Sequence, residues 1–163
     1  MKKSPWTIDS KLRKATHAKG TSVTFSYDSA AKAWTCATPL EFLAPTKDDA
    51  QKLAAEALAA WHEALDEGIA MMTAAGEAMY GSNWMLATAR DLDVNYTSLQ
   101  RWMSKERALT MDHPIWEVSV PAALESHAKA QLDLVARIKE RLLTATTITS
   151  GRYAHSAEQV EQK

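Results

Sequence analysis

The sequence predicts a mainly α fold with a small N-terminal antiparallel β-meander, an α+β arrangement, on the strength of three patterns. Residues 21–27 and 33–38 alternate apolar or β-branched side chains with polar ones, as half-buried strands do. Apolar residues at helical spacing begin after residue 46, and a second, longer series begins at Pro121. With 163 residues, the chain can bury a core as one domain or as two small ones.

The meander is predicted to contain three strands joined by two turns. Residues 18–20 end in glycine, and residues 28–32 begin with aspartate, both of which favour turns. A sheet of this size has one apolar side that another element must cover, and the following helix is the expected cover. Side chains expected to share a face are Val23, Phe25 and Tyr27 on one strand, and Trp34 and Cys36 on the next.

The covering helix is expected to begin after Thr46, whose side chain can cap it, and to run to about Asp66. Gly68 is expected to end or bend this helix. A second helix over residues 69–80 would then stop at Gly81. The predicted apolar stripe of the first helix consists of Leu53, Ala57, Leu58, Trp61 and Leu65.

Residues 83–105 have the apolar spacing of two short helices joined by a tight turn, which is a helix-turn-helix. The first helix would span 84–91. Asp93 lies where the turn commonly takes a positive φ, which Asp tolerates better than most side chains. Asn95 can cap the second helix, whose inward positions are then Leu99 and Trp102.

Over about residues 70–108 the chain resembles the helix-turn-helix of Cro and phage-repressor type proteins. The frame consists of Trp84, Leu86–Ala87, Leu92 and Val94, with a closing Arg101–Trp102. The resemblance implies a double-stranded DNA-binding module, and the alternative interpretation is two core helices with a polar exposed face. The predicted DNA-binding residues are Asn95, Tyr96, Thr97, Ser98, Gln100, Arg101, Ser104, Lys105 and Arg107.

Within that set, the side chains differ in the contacts they suit. Arg101 can bond guanine O6 and N7, and Gln100 can bond adenine N6 and N7. Lys105 and Arg107, just past the helix, are expected to contact phosphates instead.

A long C-terminal helix is predicted from Pro121, because apolar residues recur there in steps of four and three. Such a helix can pack within one chain or pair with a second copy. The polar Gln131 is of a kind that sets register in a dimer, so a homodimer is expected. The predicted seam consists of Leu124, Ala128, Gln131, Val135, Ile138 and Leu142.

These elements predict three segments. Residues 1–66 form the meander and its covering helix, residues 67–150 form the helix-turn-helix domain with the long helix, and residues 151–163 form a flexible tail. The net charge is −1, but residues 2–19 carry a net charge of +5 and residues 41–67 a net charge of −5. A nearly neutral protein can still bind DNA where its cations cluster on one face.

The sequence offers little for catalysis, so no enzymatic activity and no cofactor are expected. The five histidines lack the spacing of a zinc site, so no metal site is predicted. Cys36 is expected to be a small side chain packed in a strand. No glycine-rich phosphate loop or nucleophile elbow is present. Four tryptophans fit predicted packing positions, whereas Trp6 and Trp116 fit none.

The leading interpretation is a sequence-specific DNA-binding transcriptional regulator, a dimeric repressor of phage, plasmid or bacterial origin. The alternative is an antitoxin-like or phage-encoded adaptor or inhibitor, which would bind a protein partner through the N-terminal region and its acidic helix 48–67. A third possibility is a phage packaging or recombination protein. With one cysteine and no apolar N-terminal run, the chain is expected in the cytoplasm, away from membranes.

Overall fold

The computed structural model describes residues 4–36 and 46–158, with side chains described as far as residue 143. The chain divides into two compact units, Met1–Ala123 and Leu124–Lys163. The first unit holds an N-terminal sheet and three helices, which confirms the predicted α+β fold. The predicted boundary between residues 66 and 67 falls inside a continuous helix.

The sheet has four antiparallel strands in sequential order, one more than predicted. They are β1 (Trp6–Asp9), β2 (Lys14–His17), β3 (Ser22–Asp28) and β4 (Ala33–Cys36). The first expected strand is split by a turn in which the Arg13 N–H donates to the Ser10 carbonyl at 3.2 Å. Arg13 takes a φ of 49° there. The sequence did not predict this turn, because the position holds neither of the residues, glycine and asparagine, that usually adopt such a φ.

The two predicted turns are confirmed. Gly20 closes the β2–β3 turn with a φ of 91°, which glycine adopts without steric cost. Asp28 begins the β3–β4 turn, and its Oδ1 accepts from the Ala30 and Ala31 amides at 2.8 and 3.1 Å. The last two residues of the strand predicted over 33–38, and the connection 39–45, lie outside the described residues.

Helix α1 runs without interruption over Lys47–Tyr80, so the predicted end or bend at Gly68 is wrong. Thr46 caps it as predicted, with its hydroxyl accepting from the Asp49 N–H at 3.1 Å. Gly81 ends it at a φ of 71°, also as predicted. Gly68 serves a packing role, since a Cβ built there would lie 1.9 Å from the Leu109 carbonyl oxygen.

The covered face of the sheet packs on α1 through aromatic side chains. Phe25 stacks on Trp61 with ring centroids 4.6 Å apart, and Trp34 meets Trp61 edge-on at 5.1 Å. The predicted stripe of α1 contributes the buried Ala57, Trp61 and Leu65 to this core. Trp6, unplaced by the sequence, is buried in β1 beside them.

Two short helices follow, α2 (Trp84–Asp91) and α3 (Tyr96–Met103), close to the predicted bounds. Single turns of 3-10 helix cover Gly81–Asn83 and Pro114–Trp116. Trp116, the other unplaced tryptophan, donates its Nε1–H to the Thr110 carbonyl at 2.8 Å.

Helix α4 spans Ser119–Glu158 and so begins two residues earlier and ends later than predicted. Pro121 is its third residue, and proline is tolerated in the first turn because amides there lack intrahelical partners. The helix includes Gly151, at which the predicted tail began. One glycine costs a helix interior only about 1 kcal/mol, which neighbouring residues can offset.

Gly68→Ala is expected to lower the free energy of unfolding by about 1 to 3 kcal/mol, because the added methyl would overlap the Leu109 backbone. Helix propensity alone predicts the opposite sign, a gain of about 1 kcal/mol. Urea titration followed by circular dichroism measures the difference. Ala70→Gly, at an exposed position of the same helix, is the control and should cost about 1 kcal/mol. A Gly68→Ala protein more stable than the wild type would contradict the close approach.

Candidate nucleic-acid interface

The turn between α2 and α3 is built by backbone hydrogen bonds and two buried apolar residues. The Leu92 and Val94 amides donate to the carbonyls of Thr88 and Ala89, each at 2.9 Å. Asp93 takes a φ of 53° between them, as the sequence predicted. Ala89 and Leu92 are buried, so the turn holds both helices against the core.

Helix α3 is capped and anchored as expected. The Asn95 Oδ1 accepts from the Thr97 N–H at 2.8 Å, which satisfies an amide that the first turn leaves without a partner. On the inner side, Leu99 is fully buried and Trp102 nearly so. Because the Asn95 Oδ1 is used in this cap, the side-chain Nδ2 is the atom of Asn95 that can donate a hydrogen bond to a ligand.

The opposite side of α3 brings most of the predicted DNA-binding residues together. Helical spacing of four places Tyr96 beside Gln100, and Thr97 beside Arg101, on adjacent rows. All four are exposed, as is Ser104 at the end of the helix, while Ser98 is half-buried. We call the exposed set Tyr96, Thr97, Gln100, Arg101 and Ser104 the outer face of α3.

The predicted phosphate contacts are placed differently from each other. Lys105 turns away from the outer face, and its Nζ forms an ion pair with Asp66 of α1. Arg107 folds back toward α3, where its Nη1 donates to the Ser98 hydroxyl at 3.5 Å. Arg101 lies 3.9 Å from Glu106, a loose exposed pair. Pairs of this kind contribute at most about 1 kcal/mol, so a phosphate can replace the carboxylate.

The end of α3 rests on the sheet through a contact that the sequence did not predict. The Trp34 Nε1–H of β4 donates to the Lys105 carbonyl at 2.7 Å. Lys105 adopts a φ of 63°, which reverses the chain after α3 and presents that carbonyl. The two partners are 71 positions apart in the sequence, which explains why no local pattern could reveal this contact.

A second long-range contact ties the β1–β2 turn to the segment after α3. The Asp112 Oδ2 accepts from the Ser10 N–H at 2.8 Å, and Oδ1 accepts from the Thr110 hydroxyl. Partial burial raises the pKa of Asp112, but these hydrogen bonds outweigh it, so the pKa lies below its ordinary value. The carboxylate therefore remains charged at neutral pH.

His113 packs edge-on against Trp102, with ring centroids 5.1 Å apart. Its Nδ1 accepts from the Ile115 N–H at 3.3 Å, so the proton of the neutral ring belongs on Nε2. Burial lowers the pKa of His113, and the Asp112 charge offsets only part of that effect. The ring is therefore neutral at pH 7.

The described part of the chain gives little support for a metal site, a reactive cysteine or a membrane-spanning helix. Over those residues, no three His, Cys, Asp or Glu side chains are grouped as a metal site would require. Burial raises the pKa of the half-buried Cys36 thiol, which disfavours the reactive thiolate. Among the helices described, none has both the length and the apolar content needed to span a membrane.

Comparisons with protein-family models, with curated proteins and with solved structures found no match to this chain.

The neutral state of His113 makes folding sensitive to acid. Below about pH 6.5, the unfolded chain binds a proton at this position that the folded chain resists, so stability falls as the pH is lowered from 7 toward 5. We expect His113→Asn to flatten this part of the stability profile, since asparagine can still cap the following 3-10 turn. Urea titrations at several pH values test this. A profile as steep as that of the wild type would contradict the assignment, and measurement at pH 8 gives the common baseline.

Proposed function

We propose that this chain is a sequence-specific DNA-binding transcriptional regulator whose α3 enters the major groove. The observation that carries the proposal is the division of α3 into two sides. Leu99 and Trp102 fix one side in the core, while the polar outer face lies open to solvent. A helix held this way can present its polar side chains to base edges without rearrangement of its support.

The chemistry of the outer face suits base recognition. The Arg101 guanidinium can donate two hydrogen bonds to guanine, and the Gln100 carboxamide can both donate to and accept from adenine. Tyr96 and Thr97 lie in the first turn, where a recognition helix enters the groove. Arg107, near the end of the helix, would add a phosphate contact that carries affinity but no sequence information, whereas Lys105 is already paired with Asp66.

We further propose that the protein acts as a homodimeric repressor in the cytoplasm, with α4 pairing between two copies. Val135 and Ile138 of the predicted seam are each about half exposed, in a helix whose apolar residues follow heptad spacing. Gln131, the polar residue of this apolar stripe, has its Nε2 3.0 Å from the His127 Nε2. A second copy would cover it and would match the two-fold symmetry common among operators.

The double variant Gln100→Ala/Arg101→Ala is expected to bind its preferred DNA at least ten-fold more weakly, because each base contact supplies about 1 to 3 kcal/mol of discrimination. The preferred sequence is obtained by selection from random DNA and from DNA around the protein's own gene. Fluorescence anisotropy on selected and scrambled duplexes, at two salt concentrations, gives both affinities.

Gln51→Ala/Lys52→Ala is the matched control, since it likewise removes one glutamine and one cation, from an exposed part of α1. It should keep the preference for the selected DNA. Wild-type binding that is equally weak on both DNAs and disappears at higher salt would contradict sequence-specific regulation. That result would direct the search to a protein partner.

Ile138→Asp is expected to convert the dimer to a monomer, because it places a charge within the apolar stripe of α4. Ala130→Asp, an exposed position well away from that stripe, should leave the dimer intact. Sedimentation equilibrium measures the mass of each protein. A monomeric wild type, or equal masses for both variants, would contradict the proposed pairing.

A further inference from the structure

A cleft of about 460 Å³ lies between the β1–β2 turn and the segment that follows α3. The turn contributes one wall, and the segment 107–114 together with Trp102 contributes the other. The cleft is lined by Ser10, Lys11, Arg13, Trp102, Arg107, Ala108, Asp112, His113 and Pro114.

The charges around this cleft are mostly positive. Lys11, Arg13 and Arg107 line it, against one carboxylate, Asp112. Both oxygens of Asp112 already accept hydrogen bonds, from Ser10 and Thr110. In the residues that the structure describes, neither Lys11 nor Arg13 forms an ion pair. The cleft therefore offers positive charge that the described part of the protein neutralises only in part.

The cleft is held in a fixed position beside α3. The Asp112 contact with the Ser10 amide fixes one end of the β1–β2 turn, and the Arg13 guanidinium lies 5.8 Å from the centre of the Trp34 ring. On the other wall, Trp102 belongs to α3 itself, and Arg107 reaches the Ser98 hydroxyl of α3. An anion in the cleft would thus lie along the flank of the helix proposed to enter the groove.

We infer that the cleft binds a phosphate of the DNA backbone, with Lys11 and Arg13 of the β1–β2 turn and Arg107 as its cationic ligands. The inference rests on the proposed function and extends it to a second, sequence-independent contact made by the N-terminal sheet. When α3 occupies a major groove, the sugar-phosphate backbone bordering that groove runs along its flanks. Three cations on one flank match that backbone, and guanidinium groups suit phosphate oxygens particularly well.

The test measures how DNA affinity depends on salt for the full-length protein and its Lys11→Gln/Arg13→Gln variant. Each lost phosphate contact lowers the slope of log affinity against log salt by about 0.9. The variant should therefore bind selected and scrambled DNA several-fold more weakly, by the same factor on both, with a slope smaller by about 1. Lys11→Gln alone, which keeps the Arg13 contact with Trp34, should lower the affinity for both DNAs by a smaller factor.

Lys19→Gln/Lys52→Gln is the charge-matched control, since both lysines are exposed and neither lines the cleft. If both double variants change the slope equally, or neither changes it, the cleft assignment is wrong while the proposed function stands. A loss of affinity confined to the selected DNA would also overturn it, because that result indicates base recognition.

Calorimetry with inorganic phosphate and a nucleoside monophosphate is a second experiment on the cleft. The wild type could bind one of these small anions while the Lys11→Gln/Arg13→Gln variant does not, with the variant keeping wild-type affinity for DNA. That result would show that the ligand of the cleft is a small anion and not the DNA backbone.

Failure of the proposed function gives a different result. In that case the wild-type protein shows no preference for the selected DNA, because it binds both DNAs weakly and only at low salt or binds neither, and the inference is overturned together with the function. Circular dichroism of each variant confirms that a lower affinity does not come from unfolding.

Discussion

The indole of Trp34 joins three parts of the first unit, which are the sheet, α1 and the end of α3. Its ring packs edge-on against Trp61 of α1 at 5.1 Å and against Tyr27 of β3 at 5.5 Å. Its Nε1–H meanwhile donates to the Lys105 carbonyl at the end of α3. A buried indole gives both a large apolar surface and one directed hydrogen bond, so a single side chain fixes distance and orientation together. The position of the outer face of α3 depends on this contact.

The same arrangement places the basic and the acidic segments of the chain at different positions relative to α3. A net charge of −1 conceals a basic N-terminal segment and an acidic α1. Asp66 of α1 holds Lys105, while the cations of the β1–β2 turn remain exposed beside α3. Asp66 thus neutralises the cation on the supporting side, whereas Lys11, Arg13 and Arg107 line the cleft beside α3. Affinity for a polyanion follows such local clustering more closely than net charge.

Features determined by neighbouring residues could be predicted from the sequence. Thr46 and Asn95 cap their helices with their own side chains, and the positive φ of Asp93 follows from its place in a short turn. The outer face of α3 follows in the same way, since helical spacing separates it from Leu99 and Trp102. These are interactions over a few residues, in which residue type alone carries most of the information.

Features determined by distant residues could not be predicted. Gly68 is a residue type that often ends a helix, but here the absence of a side chain allows the backbone of Leu109, 41 positions later in the chain, to approach α1 closely. The ion pair of Lys105 with Asp66 and the contact of Asp112 with Ser10 depend on tertiary packing. The extra turn at Arg13 is a local feature, but it was also missed because it lacks the usual glycine or asparagine signal. The candidate face of α3 and the basic character of the N-terminal segment were therefore predictable, and the position of those cations beside α3 was not.

The long-range bond from Trp34 also bears on how this protein can be divided. A peptide containing only α2, the turn and α3 would contain both partners of the Asn95 cap and of the hydrogen bonds that build the turn. It would lack the sheet and the Phe25, Trp34 and Trp61 cluster on which the end of α3 rests. Helices of eight residues each are too short to persist alone in water. The smallest autonomous piece of this chain must therefore include its N-terminal strands, although the outer face of α3 occupies fewer than ten consecutive residues.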